Sequence, residues 1–201
     1  YAASRGEAVE GVLTVFLVLL EFPALLVGVL LARWGRAAGA FGRLLREVLA
    51  GKSLFLLMGG LAIGWFAGPE GIAPLDRLFF DLFKGVLAFF LLEMGLVAAG
   101  RIAEVRRFGA FLIGFGIVMP LVAAGLGLAL GWALGLSVGG SAVLATLAGS
   151  ASYIAAPAAM RIANPQADHA LALAAALGIT FPTNLIIGIP LYYAVAQALA
   201  R

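Results

Sequence analysis

Six apolar runs, each carrying very little charge, decide what this chain can become. They cover residues 12–32, 53–68, 78–100, 108–134, 139–160 and 170–198. About 20 such residues cross the hydrocarbon layer of a bilayer as a helix. Hydrocarbon supplies no water to a bare N–H or C=O, so a spanning segment must be helical or belong to a closed barrel. Runs of this length are helices rather than the short alternating strands of a barrel. Only 11% of the residues are charged, where a soluble domain carries about a quarter. The expected fold is all-α: a polytopic membrane helix bundle of about six spans, one of them discontinuous. The second run is short for a full crossing, and the fifth is the interrupted one.

Charge placement gives the spans a direction. Arg33, Arg36, Arg43, Arg46 and Lys52 lie between the first two runs, Arg101, Arg106 and Arg107 between the third and fourth, and Arg161 after the fifth. The opposite linkers hold Arg5, Arg77 and Arg201. Basic linkers stay in the cytoplasm, so the first span runs inward and the last outward. The net charge of +3 is thus a topology signal, and no basic soluble face is left for a nucleic acid. Residues 40–52 put Phe41, Leu44, Leu45, Val48 and Leu49 at helical spacing among Arg43, Arg46 and Glu47, as an amphipathic helix at the cytoplasmic interface does. The chain has no cysteine and therefore no disulfide or thiolate metal site. Gly127, Gly131 and Gly135 recur every fourth residue, the spacing of a close helix contact.

The polar residues inside the runs are few. Between Gly149 and Pro157 the chain reads Gly-Ser-Ala-Ser-Tyr-Ile-Ala-Ala-Pro, a small, partly polar, proline-stopped segment at membrane depth. Non-helical backbone survives there only where protein buries it or where it lines a wet cavity. If a half-helix starts near Ser152, that side chain caps it, and the N–H groups of residues 153–156 lack intrahelical partners. Such amides, with the positive end of the helix dipole, suit an anion. Gly149, Ser150, Ala151, Ser152, Tyr153 and Ile154 are the candidate anion-binding residues; the alternative is a packing kink. Glu21 lies mid-span, two residues before Pro23, where a charge faces a cavity or a partner. A carboxylate beside carbonyls freed by proline suits a small cation; a protonated Glu bonded to another helix is the alternative. Thr180, Thr183 and Asn184 surround Pro182 in the last run and are the further candidate sodium ligands, or else interhelical hydrogen-bonding groups. Glu93 is a candidate second cation or proton site, or else a buried carboxyl bonded to a neighbour, and Asp81 with Lys84 reads as a local ion pair. His169 is the sole histidine and follows Asn164-Pro165-Gln166-Ala167-Asp168 in a turn. No Ser/His pair or midplane aspartate pair is available, so the chain does not read as an enzyme.

Leu20-Glu21-Phe22-Pro23-Ala24-Leu25-Leu26-Val27 parallels Ile179-Thr180-Phe181-Pro182-Thr183-Asn184-Leu185-Ile186, in spans of opposite direction. Similarity with reversed orientation is the mark of inverted-topology repeats. If the last span closes one repeat, the first closes the other, which predicts about four further helices ahead of Tyr1. The expected domains are residues 1–38, the last helix of a first repeat; 39–52, a cytoplasmic interfacial linker; 53–107, a gate-type helix pair; and 108–201, core-type helices with the broken helix.

The run from Gly140 to Arg161, with Gly178-Ile179-Thr180-Phe181-Pro182 and Gly188-Ile189-Pro190-Leu191 after it, resembles the sodium-dependent bicarbonate transporter (SbtA) family. Glu21-Phe22-Pro23-Ala24-Leu25 looks like that family's acidic-x-Pro-Ala-Leu motif. The resemblance implies ten helices in a 5+5 inverted repeat with core and gate domains, in a bacterial inner (plasma) membrane. It implies sodium-coupled symport of a small anion, most often bicarbonate, with sodium as coupling ion and no other cofactor. Ser150 and Ser152 would then belong to the anion site, and Glu21 and Thr180 to the sodium region. A homotrimer and, in cyanobacterial members, a small PII-like regulator also follow from the resemblance. Cyanobacterial members carry a longer serine run ending in Asp where this chain has Ala151, Ser152 and Tyr153. A sodium–proton antiporter and a sodium-coupled organic-anion symporter are the alternatives.

Overall fold

A computed structural model describes residues 1–32, 52–153, 156, 157, 160, 161 and 164–200. Among the described residues the chain is helical between short turns and contains no strand. Most of the predicted interfacial helix, residues 40–52, and Ile154 lie outside the described residues. The expected polytopic bundle forms: among the described residues five helices are long and apolar enough to cross a membrane. They are α1 (Leu13–Ala32), α2 (Lys52–Ile72), α3 (Arg77–Arg101), α4 (Phe108–Ala133) and, last in the chain, α6 (Ala170–Leu199). The predicted fifth run supplies the shorter α5 (Val138–Ala148).

Glycine sets several of these boundaries. Helical hydrogen bonding runs from Leu82 to Ala133, yet Gly109 inside it has φ 77° and ψ −172°. Only glycine reaches that region without a Cβ clash, and the kink divides α3 from α4. In α2, Gly68 has φ 64° and is followed by Pro69, which restarts the helix with its fixed φ. The apolar span therefore runs on to Leu75, 21 residues in all. The helical piece before the kink is short for a crossing, as expected, and spanning length is reached only together with the piece after Gly68. Gly135 closes α4 with φ 68°. Leu136 N–H donates to Gly131 O at 3.0 Å and Gly135 N–H to Trp132 O at 3.1 Å, the paired bonds of a Schellman stop.

Gly135 is accordingly a turn residue, not the third member of a contact stripe as its spacing suggested. Gly127 and Gly131 do make that contact. A Cβ at Gly127 would lie 2.8 Å from Ala145 Cα, and one at Gly131 would lie 2.8 Å from Ser141 Oγ. These two glycines let α5 lie almost backbone to backbone on α4. The core follows from this approach: Ala124 and Leu128 of α4, Ala142 and Ala145 of α5, and Tyr192, Tyr193 and Ala196 of α6 are packed together. Nearer the other end Leu112, Ala174 and Ile179 form a second cluster. Hydrocarbon gives apolar side chains no reason to hide, so packing of this kind holds helices together in lipid. α2 and α3 turn bare apolar faces outward, including Trp65 and Phe66, both more than 80% exposed. Asp81 and Lys84 pair at 3.9 Å on an exposed face, as expected, and contribute little.

The charge rule puts the chain's first residues, the 134–138 turn and the end of α6 on one side, and the structure brings them together. Glu7 Oε1 accepts from Tyr193 OH at 2.9 Å, and Ser137 Oγ donates to Ala8 O at 2.9 Å. The Tyr1 ring meets that of Tyr193 edge-on, with the Arg5 guanidinium over both. Glu10 Oε1 accepts from Ser137 N–H at 2.6 Å. That N–H chiefly holds the Glu10 carboxyl below the ordinary carboxylate range, against partial desolvation.

Gly127→Val should lower unfolding stability in detergent by about 1–3 kcal/mol, the usual cost of overpacking. Gly125→Val, where a Cβ meets nothing within 4 Å, should leave the thermal midpoint in place. Because docking lowers the Glu10 pKa, its contribution is complete above the ordinary glutamate range and is lost as pH falls through the lower docked value. A thermal midpoint that drops over that acid window in the native chain, and less steeply in Glu10→Gln, checks this.

Candidate functional site

The site is built on the end of α5. Its start is fixed by Ser137, whose hydroxyl accepts Gly140 N–H at 2.9 Å as a helix cap. Eleven residues later the helix stops: the residues from Ser150 to Tyr153 are non-helical, and helical backbone resumes at Ala156 and Pro157. The interruption read from the small polar sequence is therefore present.

Breaking a helix inside lipid leaves carbonyls and amides that need partners. The chain supplies several from its own side chains. Ser150 donates its hydroxyl to Thr146 O at 2.6 Å, and Thr146 donates to Ala142 O at 2.8 Å. Gly149 N–H donates to Ala145 O at 2.9 Å and Ser150 N–H to Leu147 O at 3.2 Å. Gly149 O accepts from Asn184 Nδ2 at 2.6 Å, and Asn184 Oδ1 accepts from Tyr192 OH at 2.7 Å. Ser152 Oγ accepts Ala156 N–H at 3.1 Å. That last bond is the expected cap by Ser152, and it occupies the Ala156 N–H. Gly149 is pressed against α4, where a Cβ would come within 2.8 Å of Pro120 O.

A cavity of about 610 Å³ lies between α1, α4, α5 and the interruption. Glu21, Leu25 and Gly28 line it from α1, Leu126 and Gly127 from α4, and Leu144 and Leu147 from α5. Ser150, Ala151 and Ser152 close it at the break. The structure thus brings Glu21 and three of the candidate anion residues to the walls of one cavity, although they lie about 130 positions apart in sequence. Gly149 is buried beside it, and Tyr153 is half-buried and not among the lining residues.

The other candidates sit elsewhere. Thr180 is buried and donates to Gly116 O at 2.8 Å, tying α6 to α4. Asn184 is buried in the clamp on Gly149. Thr183 is half-buried, and none of the three lines the cavity. Around them α6 is underwound into wider π turns, Ala174–Thr180 and Asn184–Gly188, on either side of Pro182. Such turns gather at functional positions. The matching segment at Pro23 stays in regular α-helix. Glu93 lies on an exposed face of α3 and is not among the lining residues, but its charge is felt at Tyr153 beside the break. Among the described residues no three His, Cys, Asp or Glu side chains gather as a metal centre would need. Asp168 accepts Ala170 N–H at 2.9 Å at the start of the last helical stretch, which makes the turn before His169 a cap.

Sequence reading did not single out two features, the Asn184–Tyr192 clamp and the docked Glu10. For the first, Asn184 and Tyr192 are eight positions apart on α6 and carry no local signature. For the second, the consecutive Gly139 and Gly140 just after a capping serine were a usable sign of close backbone approach.

A bundle of spanning helices, with an interrupted helix beside a mostly apolar cavity whose described lining carries one carboxylate, defines a multi-pass membrane protein built around an internal cavity. The family model described as the Na+-dependent bicarbonate transporter superfamily matches residues 1–197. The chain belongs to that family and is a transport protein, not an enzyme. A comparison with curated proteins gave no match.

Asn184→Ala strands both Gly149 O and Tyr192 OH, and should cost about 1–3 kcal/mol, the range for a buried polar group left unpaired. Tyr192→Phe removes one donor and should cost less. Thermal unfolding of the two purified variants in the same detergent checks the order.

Proposed function

We propose that this protein carries out sodium-coupled symport of a small anion, bicarbonate first among candidates, by alternating access. The observation that carries the reading is the shared cavity: the Glu21 carboxylate on one wall and the hydroxyl-bearing helix break on another. Sodium, the coupling ion, binds toward Glu21, with oxygen donors from the Thr180, Thr183 and Asn184 region entering when α6 shifts. The anion binds at Gly149, Ser150, Ala151, Ser152, Tyr153 and Ile154, where the second half-helix begins and its dipole favours negative charge. The setting is a bacterial plasma membrane. Residues 108–201 with 1–38 serve as core elements and 53–107 as a gate-type pair, with 39–52 as the linker. Family resemblance supports a homotrimer and a small PII-like regulator. Each net charge moved inward gains roughly 2.3 kcal/mol per 100 mV of membrane potential.

One observation favours a second reading, a sodium-coupled organic-anion symporter. The cavity's volume of about 610 Å³ falls in the ~300–1,000 Å³ range that accommodates drug-sized ligands. Leucines supply much of its lining. Bicarbonate has four heavy atoms and needs far less room.

Glu21→Gln in the intact protein should abolish sodium-dependent uptake of labelled bicarbonate into proteoliposomes, measured with pH-gradient controls. Sodium-coupled uptake at the native rate would remove Glu21 from the mechanism. Short-chain carboxylates that outcompete bicarbonate for uptake would favour the second reading.

A further inference from the structure

The lead-in to α1 is seated on the first turn of α5 by contacts that the transport reading leaves unused. Ser137 is the cap of α5, and its N–H is held by Glu10 Oε1 while its hydroxyl holds Ala8 O. The Glu10 carboxylate therefore lies where the first amides and the positive end of the α5 dipole lie. Its Oε2 is buried without a hydrogen-bond partner among the described residues. The seat is shaped for it by two consecutive glycines. A Cβ on Gly139 would run into Ala8 O, and one on Gly140 into the Glu10 carboxylate. Glu7 adds a bond to Tyr193, so the same strap also reaches α6.

The consequence lies at the far ends of the two helices. α1 carries Glu21, eleven positions beyond Glu10, and α5 runs eleven residues from Val138 to Ala148 before the break. At 1.5 Å rise per helical residue the helical path from Leu13 to Glu21 is about 12 Å and the α5 path about 16 Å. A tie at the outer end therefore sets the register between the carboxylate wall and the serine wall of the cavity.

We propose that Glu10 is a positioning residue that locks α1 to α5 at their outer ends, so that Glu21 and the serines of the break stay in register and move as one unit. The positioning role rests on the transport reading above; the tie itself does not.

Spin labels at Val9→Cys and Leu134→Cys, both exposed positions, report the tie in the intact protein in a cysteine-free background. The native chain should give one narrow distance distribution, and Glu10→Ala a broad one. Glu10→Gln, which keeps an amide oxygen for Ser137 N–H, should restore most of the narrow component. Gly140→Ala should broaden the distribution without touching the carboxylate's own chemistry. In proteoliposomes Glu10→Ala should raise the sodium concentration for half-maximal bicarbonate uptake about five-fold or more, equivalent to ~1 kcal/mol, with the maximal rate changed less than two-fold. Glu10→Gln should bring that value back towards native. A narrow distribution in both Glu10→Ala and Gly140→Ala overturns the tie. A broadened distribution with native sodium dependence overturns the positioning role. Native sodium-coupled uptake in Glu21→Gln would remove the transport reading and the positioning role together, while the label distances still decide whether the tie exists.

Discussion

The end of α5 must satisfy its backbone inside a medium that supplies no water, and the surrounding architecture answers that demand. Gly149 O points to Asn184 Nδ2 because no following turn of helix can bond it. Asn184 in turn is fixed by Tyr192 OH, one buried amide serving as acceptor and donor at once. In hydrocarbon an interhelical bond averages only ~0.6 kcal/mol, because the separated helices also find partners. A carbonyl at a break is different: the helix that would have bonded it has ended. The clamp therefore fixes where α6 lies relative to α5, beyond whatever stability it adds.

Small residues make that clamp reachable. Gly127 and Gly131 bring α5 onto α4, and Gly149 brings the break itself against Pro120 O. With side chains at those three places α5 would stand further off, and the reach from Asn184 to Gly149 O would open. The α5 sequence Val-Gly-Gly-Ser-Ala-Val-Leu-Ala-Thr-Leu-Ala is the corresponding pattern seen from the other helix. Both ends of α5 are then fixed by groups far away in sequence, Glu10 at its start and Asn184 at its stop. Spanning helices α2 and α3 share none of this, and their aromatic and aliphatic side chains remain bare.

Hydropathy alone located the spans, because a bilayer imposes a length that water does not. The interruption at Ser150 was legible for the same reason: serines and a proline in the middle of an apolar run have no cheap alternative explanation. What hydropathy could not show was the use of each polar atom. Thr180 and Asn184 read from sequence as oxygen donors for an ion, and nothing local announced that the Thr180 hydroxyl donates to Gly116 O and the Asn184 amide to Gly149 O. A side chain's residue type gives its donors and acceptors, while its partner is a tertiary fact. Gly135 shows the converse. Its spacing matched Gly127 and Gly131, but spacing counts positions along a helix and carries no sign that the helix has already ended in a left-handed turn.

Coupling between the two transported ions follows from the cavity's electrostatics on the proposed reading. Leucines and small residues from α1, α4 and α5 surround the Glu21 carboxylate and the serine break. Where that carboxylate carries its charge, an anion entering the cavity is repelled by it. Two like charges ~8 Å apart at an effective dielectric near 20 repel by about 2 kcal/mol. The dipole at the start of a half-helix returns up to a similar amount in partly buried geometry, so the anion alone gains almost nothing by binding. A sodium ion at Glu21 cancels the repulsion and adds an attraction of its own, which moves the balance to net binding. The same terms apply in reverse, since the anion improves the field felt by sodium by an equal coupling free energy. An apolar cavity with one carboxylate among its described lining residues thus makes each ion's occupancy depend on the other, provided the two walls keep a fixed separation.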